Sequence, residues 1–304
     1  MPSKESTAQV DLFKAMAKII AAHPGLDLEL NRLLFEEPHR LASEPTDVTY
    51  EDVQCPGSVR PAIWCKPLGT SPSHVVLYFH GGGFSTGSPS SHRKLAGHLA
   101  KAAGCFALVQ DYRRAPEHPF PAQIEDAVAA YEWLLQDRGL SNHHIATAGD
   151  SAGGNLAVSS VLKMRELGLP LPSAIVGISP HVDMGQVGKT LITNAGTDAL
   201  VDRATLSVML SSFLGGASKE NPLANPLHAD LTGMPPMYLC VGSWEMLQDD
   251  AQMLADRAKE AGVEVELEIS EGMQHVYPFM AGNAPEANKT IDNIGDWLRK
   301  KLRN

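Results

Sequence analysis

The stretch HIATAGDSAGGNLAVSSVLKMREL, His144 to Leu167, decides the fold. A short apolar strand, His144–Ala148, runs through Gly149-Asp150-Ser151-Ala152-Gly153-Gly154 into a helix, Ala152–Leu167. The junction contains Gly-x-Ser-x-Gly, and its place between strand and helix gives the pattern its meaning: a sharp turn there lifts a serine out of a sheet. Glycines flank the serine where a Cβ would meet neighbouring backbone. The following helix points its N-terminus at Ser151, which favours a developing anion. Ser151 is therefore a candidate nucleophile, with a glycine-rich phosphate loop or a plain tight turn as the competing reading.

Outward from this junction the chain alternates. Apolar strands are expected at His74–Phe79, Cys105–Gln110, Ala174–Ser179, Met237–Val241 and Val263–Ser270. Helices are expected at His92–Ala103, Ala122–Gln136, Leu247–Ala261 and Pro285–Leu302. Asp47–Val53 and Val59–Lys66, separated by Pro56-Gly57, read as a hairpin. Short apolar strands alternating with helices predict an α/β fold, an eight-stranded, mostly parallel sheet covered by helices on both faces.

Two stretches fall outside the alternation, residues 1–45 and about 181–232. The first carries two amphipathic segments, with Val10, Phe13, Met16 and Ile20 on one stripe and Leu28, Leu30, Leu33 and Leu34 on the next. The division expected is residues 1–45 as N-terminal cap helices and 46–304 as one catalytic domain, with a cap insertion at 181–232.

The composition narrows the function classes. Of 304 residues, 35 are acidic and 25 basic, a net charge of −10. That field disfavours nucleic acid and polyanionic substrates. Four cysteines, none spaced as Cys-x-x-Cys, predict free thiols and neither a zinc cluster nor a disulfide scaffold. No signal peptide is read at the N-terminus, and no apolar run reaches the ~18 residues of a membrane span. A soluble, cytoplasmic chain is the expectation, and a homodimer is left open. The basic run Arg299-Lys300-Lys301 with Arg303 reads as the solvated face of the last helix.

Three further pieces carry chemistry. His80-Gly81-Gly82-Gly83-Phe84 follows an apolar strand, and three successive glycines are costly unless their bare N–H groups are used. Gly82 and Gly83, with the N–H of Ala152, are assigned as donors to an oxyanion. His275 lies in the loop after the last strand, where open α/β sheets place ligands. It is the candidate base, whereas His92, His98 and His143 read as surface residues. Glu245 is the first carboxylate beyond the seventh strand and the candidate acid. Asp249 and Asp250 fall in the next helix, where capping its N-terminus is their ordinary role.

With these residues in view, the chain resembles the bacterial hormone-sensitive-lipase family of esterases, of the α/β-hydrolase fold. The matching motifs are His80 to Gly83, Asp111-Tyr112-Arg113-Arg114-Ala115-Pro116-Glu117, Gly149 to Gly154, and Gly272-Met273-Gln274-His275. The resemblance implies hydrolysis of small carboxylic esters of short to medium acyl chain, without a cofactor, beneath a small helical cap; no metal is expected, because the motifs already supply a nucleophile, a base and an oxyanion site. One departure stands out: many members carry Asp-Pro-Leu where this chain has Glu245-Met246-Leu247. Lactone hydrolysis or acyl transfer would use the same residues. A receptor on the same fold is the contrasting class, and the presence of His275 argues against it. The stretch Tyr112-Arg113 reads as structural, and Phe84, Phe213 and the first helices as candidates to shape the pocket.

Overall fold

The computed structural model describes residues 2–23 and 25–302, so Arg303 of the basic run lies outside the described residues. One sheet holds β1 (Val48–Val53), β2 (Ala62–Pro67), β3 (Val75–Phe79), β4 (Phe106–Gln110), β5 (Ile145–Asp150), β6 (Ala174–Ile178), β7 (Met237–Gly242) and β8 (Val265–Ser270). Their spatial order is β1-β2-β4-β3-β5-β6-β7-β8. β2 runs antiparallel to both its neighbours, and every other pairing is parallel. The strands β3, β5, β6 and β7 are buried at every position, which is why they read as continuous apolar runs and not as alternating ones. The edge strands β1 and β8 have no fully buried position and mix half-buried with exposed ones.

Successive residues of one strand feed opposite cores. Val75, Leu77 and Phe79 of β3 join a core with α4 (Ala122–Gln136), α5 (Ala152–Glu166) and α8 (Gln248–Glu260). Val76 and Tyr78 face the other way, toward α3 (Pro89–Ala103) and α9 (Pro285–Lys301). The helix α3 begins three residues before the expected start at His92. Ser88 accepts from the Ser91 N–H in a capping box, and Pro89 occupies the first turn. The strand β5 extends two residues past Ala148, because Gly149 pairs with Phe79 and Gly177, and Asp150 with Ile178.

The stretches outside the alternation are α1 (Thr7–Ala22) and α2 (Leu28–Leu34) at the N-terminus, and α6 (Thr190–Thr193) and α7 (Arg203–Leu214) between β6 and β7. The buried face of α1 is Gln9, Phe13 and Met16, so Gln9 takes the place expected for Val10. Arg32 of α2 pairs with Glu117 at 2.7 Å and donates to the Ser85 carbonyl at 2.9 Å, which fastens α2 beside the glycine-rich loop. Phe213 of α7 stacks on Phe84 with centroids 3.7 Å apart. All four cysteines are buried and free.

Candidate active site

Ser151 sits at the junction of β5 and α5 with φ 51° and ψ −119°, a backbone conformation that costs energy for any residue with a side chain. The glycines around it are sterically required. A Cβ on Gly149 would lie 2.2 Å from the Gly153 carbonyl oxygen, and one on Gly153 would lie 2.0 Å from that of Phe79. The turn is held by the Ser151 N–H donating to Ile178 at 2.9 Å and by the Ser151 carbonyl accepting from His181 at 3.0 Å.

The loop after β3 carries Gly82 at φ 108° and Gly83 at φ 59°, both in the region that favours glycine. A Cβ on Gly83 would lie 2.3 Å from the Met209 sulfur. Among the described residues, no acceptor lies on the N–H groups of Gly82, Gly83 or Ala152. Three unpaired backbone N–H groups beside one serine, one of them the first of helix α5, are arranged to receive an acceptor from outside the chain.

His275 follows β8 and Glu245 follows β7, and the two meet at 2.7 Å, Nδ1 to Oε2. The other carboxylate oxygen accepts from Ser179 Oγ at 2.7 Å and from the Gly242 N–H at 2.5 Å. Burial pushes the Glu245 carboxyl above its ordinary range, and these three donors oppose that push. For His275 burial works against protonation, but the hydrogen bond and charge of Glu245 prevail and hold the imidazole above its ordinary value.

Ser151, His275, Gly82 and Gly83 line one cavity of about 90 Å³. Ser151 and His275 share its wall without a hydrogen bond between them among the described contacts. The rest of the wall is mainly apolar. Phe13 comes from α1, and Leu206 and Met209 from α7. Phe84 and Phe213, expected to shape the pocket, stack on each other and are absent from its lining. His181 also lines the cavity; it is buried with its Nε2 unpartnered, and burial drives its imidazole down to about 3. No group of three or more His, Cys, Asp or Glu suited to a metal ion occurs among the described residues.

Several residues beside the site behave differently from the sequence reading. His92 is not on the surface; it is buried, and its Nε2 lies 3.2 Å from Asp150 Oδ2. Asp150 also accepts from Tyr78 at 2.7 Å and from the Gly81 N–H at 3.2 Å. The aspartate next to Ser151 thus ties the glycine-rich loop to the serine turn. Its signal was present: a carboxylate ending an apolar strand must find partners. His98 is half-buried and lies 3.0 Å from the Ser43 carbonyl, while His143 is exposed as expected. Ser179 was overlooked; its hydroxyl donates to Glu245 and accepts from the Val276 N–H at 3.0 Å. Tyr112 stacks on His80 and donates to its carbonyl at 2.7 Å, while Arg113 pairs with Asp126.

Asp249 and Asp250 do not cap their own helix. Asp249 accepts from the N–H groups of Lys189 and Thr190, and Asp250 from those of Val182 and Asp183. Both bind the segment after β6 to α8. Burial raises the Asp250 carboxyl to about 8.

A family model described as alpha/beta hydrolase fold matches residues 76–279. The chain belongs to this α/β-hydrolase family. The hydrolase is 40% identical over 289 residues to an acetyl-hydrolase of Streptomyces hygroscopicus, a match covering 90% of this chain and 96% of that one. It is 33% identical over 233 residues to the carboxylesterase NlhH of Mycobacterium tuberculosis, covering 74% and 73%. A solved esterase of the bacterial hormone-sensitive-lipase family superposes on it with a TM-score of 0.93 at 40% identity, over 99% of both chains. EstE5, in a crystal soaked with p-nitrophenyl butyrate, superposes at 0.90 with 34% identity, covering 99% of this hydrolase and 100% of that chain. The hydrolase is a member of the bacterial hormone-sensitive-lipase group.

Proposed function

We propose that this hydrolase is a serine carboxylesterase acting through an acyl-enzyme on Ser151. It is a carboxylic ester hydrolase by family, and its relatives bear the names esterase, carboxylesterase and acetyl-hydrolase. The observation that carries the mechanism is the shared cavity: a strained serine, an imidazole paired to a buried glutamate and free backbone N–H groups border one small space. In this reading His275 takes the proton from Ser151 Oγ as the oxygen attacks the ester carbonyl. Glu245 fixes the tautomer with the proton on Nδ1 and stabilises the imidazolium. The N–H groups of Gly82, Gly83 and Ala152 receive the oxyanion, and the alcohol leaves with the proton that His275 returns. Water then attacks the acyl-enzyme by the same route.

Residues 1–45 and 181–232 serve as the cap in this reading, since both contribute side chains to the cavity. At about 90 Å³ the cavity is smaller than the ~150 Å³ that holds benzene. Acetyl to butyryl groups suit it better than long chains. The test is a series of p-nitrophenyl esters from acetyl to palmitoyl, run on the wild type and on Ser151→Ala. The expected result is a decline with chain length and a loss of ~10⁴-fold or more in the variant. Near-normal turnover by folded Ser151→Ala would refute the mechanism. Faster palmitoyl than butyryl turnover would refute the chain-length reading.

A further inference from the structure

Gln9 is a polar residue in the apolar stripe of α1, and it is 1% exposed. Phe13 and Met16 of the same stripe supply the packing, in one core with Val276 and Phe279. Burying an amide among them is costly unless it is hydrogen-bonded. Its Nε2 donates to the carbonyl of His275 at 2.8 Å and to that of Val276 at 3.3 Å.

The turn that Gln9 grips is strained. Val276 is β-branched and has φ +51°, a conformation that persists only when its surroundings over-determine it. Those surroundings come from three places. Ser179 accepts from the Val276 N–H at 3.0 Å. Gln274 donates to the Thr197 carbonyl and accepts from the Ala199 N–H, each at 2.8 Å, in the segment between β6 and β7. Gln9 reaches in from the N-terminal helix, more than 260 residues away in sequence.

We propose that Gln9 is a positioning residue for the base: by holding the carbonyls of His275 and Val276, docked α1 sets the imidazole against Glu245 and Ser151. The N-terminal helix is then part of the catalytic frame as well as a wall of the pocket. The proposal rests on the reading of His275 as the base. Misplacing a catalytic group by about 1 Å can cost ~10²-fold in rate, so one backbone hydrogen bond is enough to register.

The experiment uses the full chain and p-nitrophenyl acetate. Gln9→Met keeps the length of the side chain and removes the donor. The expected result is a fall in kcat of about ten- to hundredfold with KM within about twofold. The acid limb of kcat should also move down toward the ordinary imidazole value. Glu245 from the β7 loop, Asp198 from the segment after β6 and Asp150 from β5 all raise the His275 value, and His181 faces it from the β6 loop. Loosening the turn weakens the first of these contacts. Met16→Ala loosens the same helix without touching the carbonyls. It should lower Tm while moving kcat and the limb less than Gln9→Met does. Gln9→Asn, an amide one methylene short, serves where Gln9→Met does not fold, with the same expectation. A kcat within a factor of two of wild type, a loss carried by KM, or an unmoved limb overturns the proposal. If neither variant folds, Gln9 is structural and the proposal falls. His275→Asn, run in parallel, separates the two readings. Activity retained there refutes His275 as the base, whereas an inactive His275→Asn beside an unaffected Gln9→Met refutes only the role of Gln9.

Discussion

Replacing Glu245 with glutamine keeps the shape of the acid and changes what it can accept. In the native site Oε1 takes two donors, Ser179 Oγ at 2.7 Å and the Gly242 N–H at 2.5 Å, and Oε2 takes His275 Nδ1 at 2.7 Å. A glutamine has one acceptor oxygen. Left in the Oε1 position, it satisfies two donors and turns its NH₂ toward Nδ1. Flipped, it satisfies His275 and opposes two buried donors, at ~1–3 kcal/mol for each one stranded. The first arrangement therefore wins, and His275 must present a lone pair at Nδ1 and carry its proton on Nε2. That tautomer cannot take a proton from Ser151, and the imidazolium loses its carboxylate. By analogy with the aspartate-to-asparagine change in a serine protease, kcat should fall by ~10³–10⁴, equivalent to ~4–5.5 kcal/mol. The assay is kcat on p-nitrophenyl acetate for Glu245→Gln beside Asp249→Asn and Asp250→Asn. The latter two carboxylates accept only from backbone N–H groups of the 182–190 segment, apart from the His275 pair. Each should stay within about tenfold of wild type. A collapse in either asparagine variant, with Glu245→Gln near wild type, would refute the assignment of the acid.

The acid limb of kcat/KM should lie above the ~6.5 of a free imidazole. Glu245 holds His275 upward despite burial, so activity is lost as pH falls through that raised value; a midpoint below about 6 would contradict this. Gly83→Ala should lower kcat by ~10²–10³, the worth of one oxyanion donor. Its Cβ would meet the Met209 sulfur at a backbone angle of φ 59°, and a folded variant within threefold of wild type would be the contrary result. Asp250→Asn should flatten the pH dependence of stability. With its carboxyl raised to about 8, the folded chain holds a proton that the unfolded chain releases near ~4. Wild-type stability therefore falls as pH rises from ~4 toward ~8. The difference between variant and wild type from pH 6 to 9 should be at least ~1 kcal/mol in urea unfolding, and equal slopes would disprove it.

What the sequence determined by itself was local. Buried parallel strands are continuous apolar runs wherever they fall, so β3 to β7 were legible, as was the helix-strand alternation that makes the fold. Glycines that cannot carry a Cβ, at 149 and 153, marked the serine turn before any partner was known. The candidate residues Ser151, Glu245 and His275 could be named because each follows a strand at the same edge of such a sheet. The tertiary structure alone decided what depends on which distant side chain arrives beside which. His92 looked like a surface histidine until α3 brought it against Asp150, 58 residues away. Ser179 gained its two contacts only once β6, β7 and the His275 loop were neighbours. Asp249 and Asp250 had free helix N–H groups close by in sequence, but the chain from 182 to 190 offered its own. Gln9 lay off the stripe expected from Val10, Phe13, Met16 and Ile20, and its burial was not legible because its acceptors lie at the far end of the chain. A buried polar group must find a partner, and the sequence shows the need; only packing shows the partner.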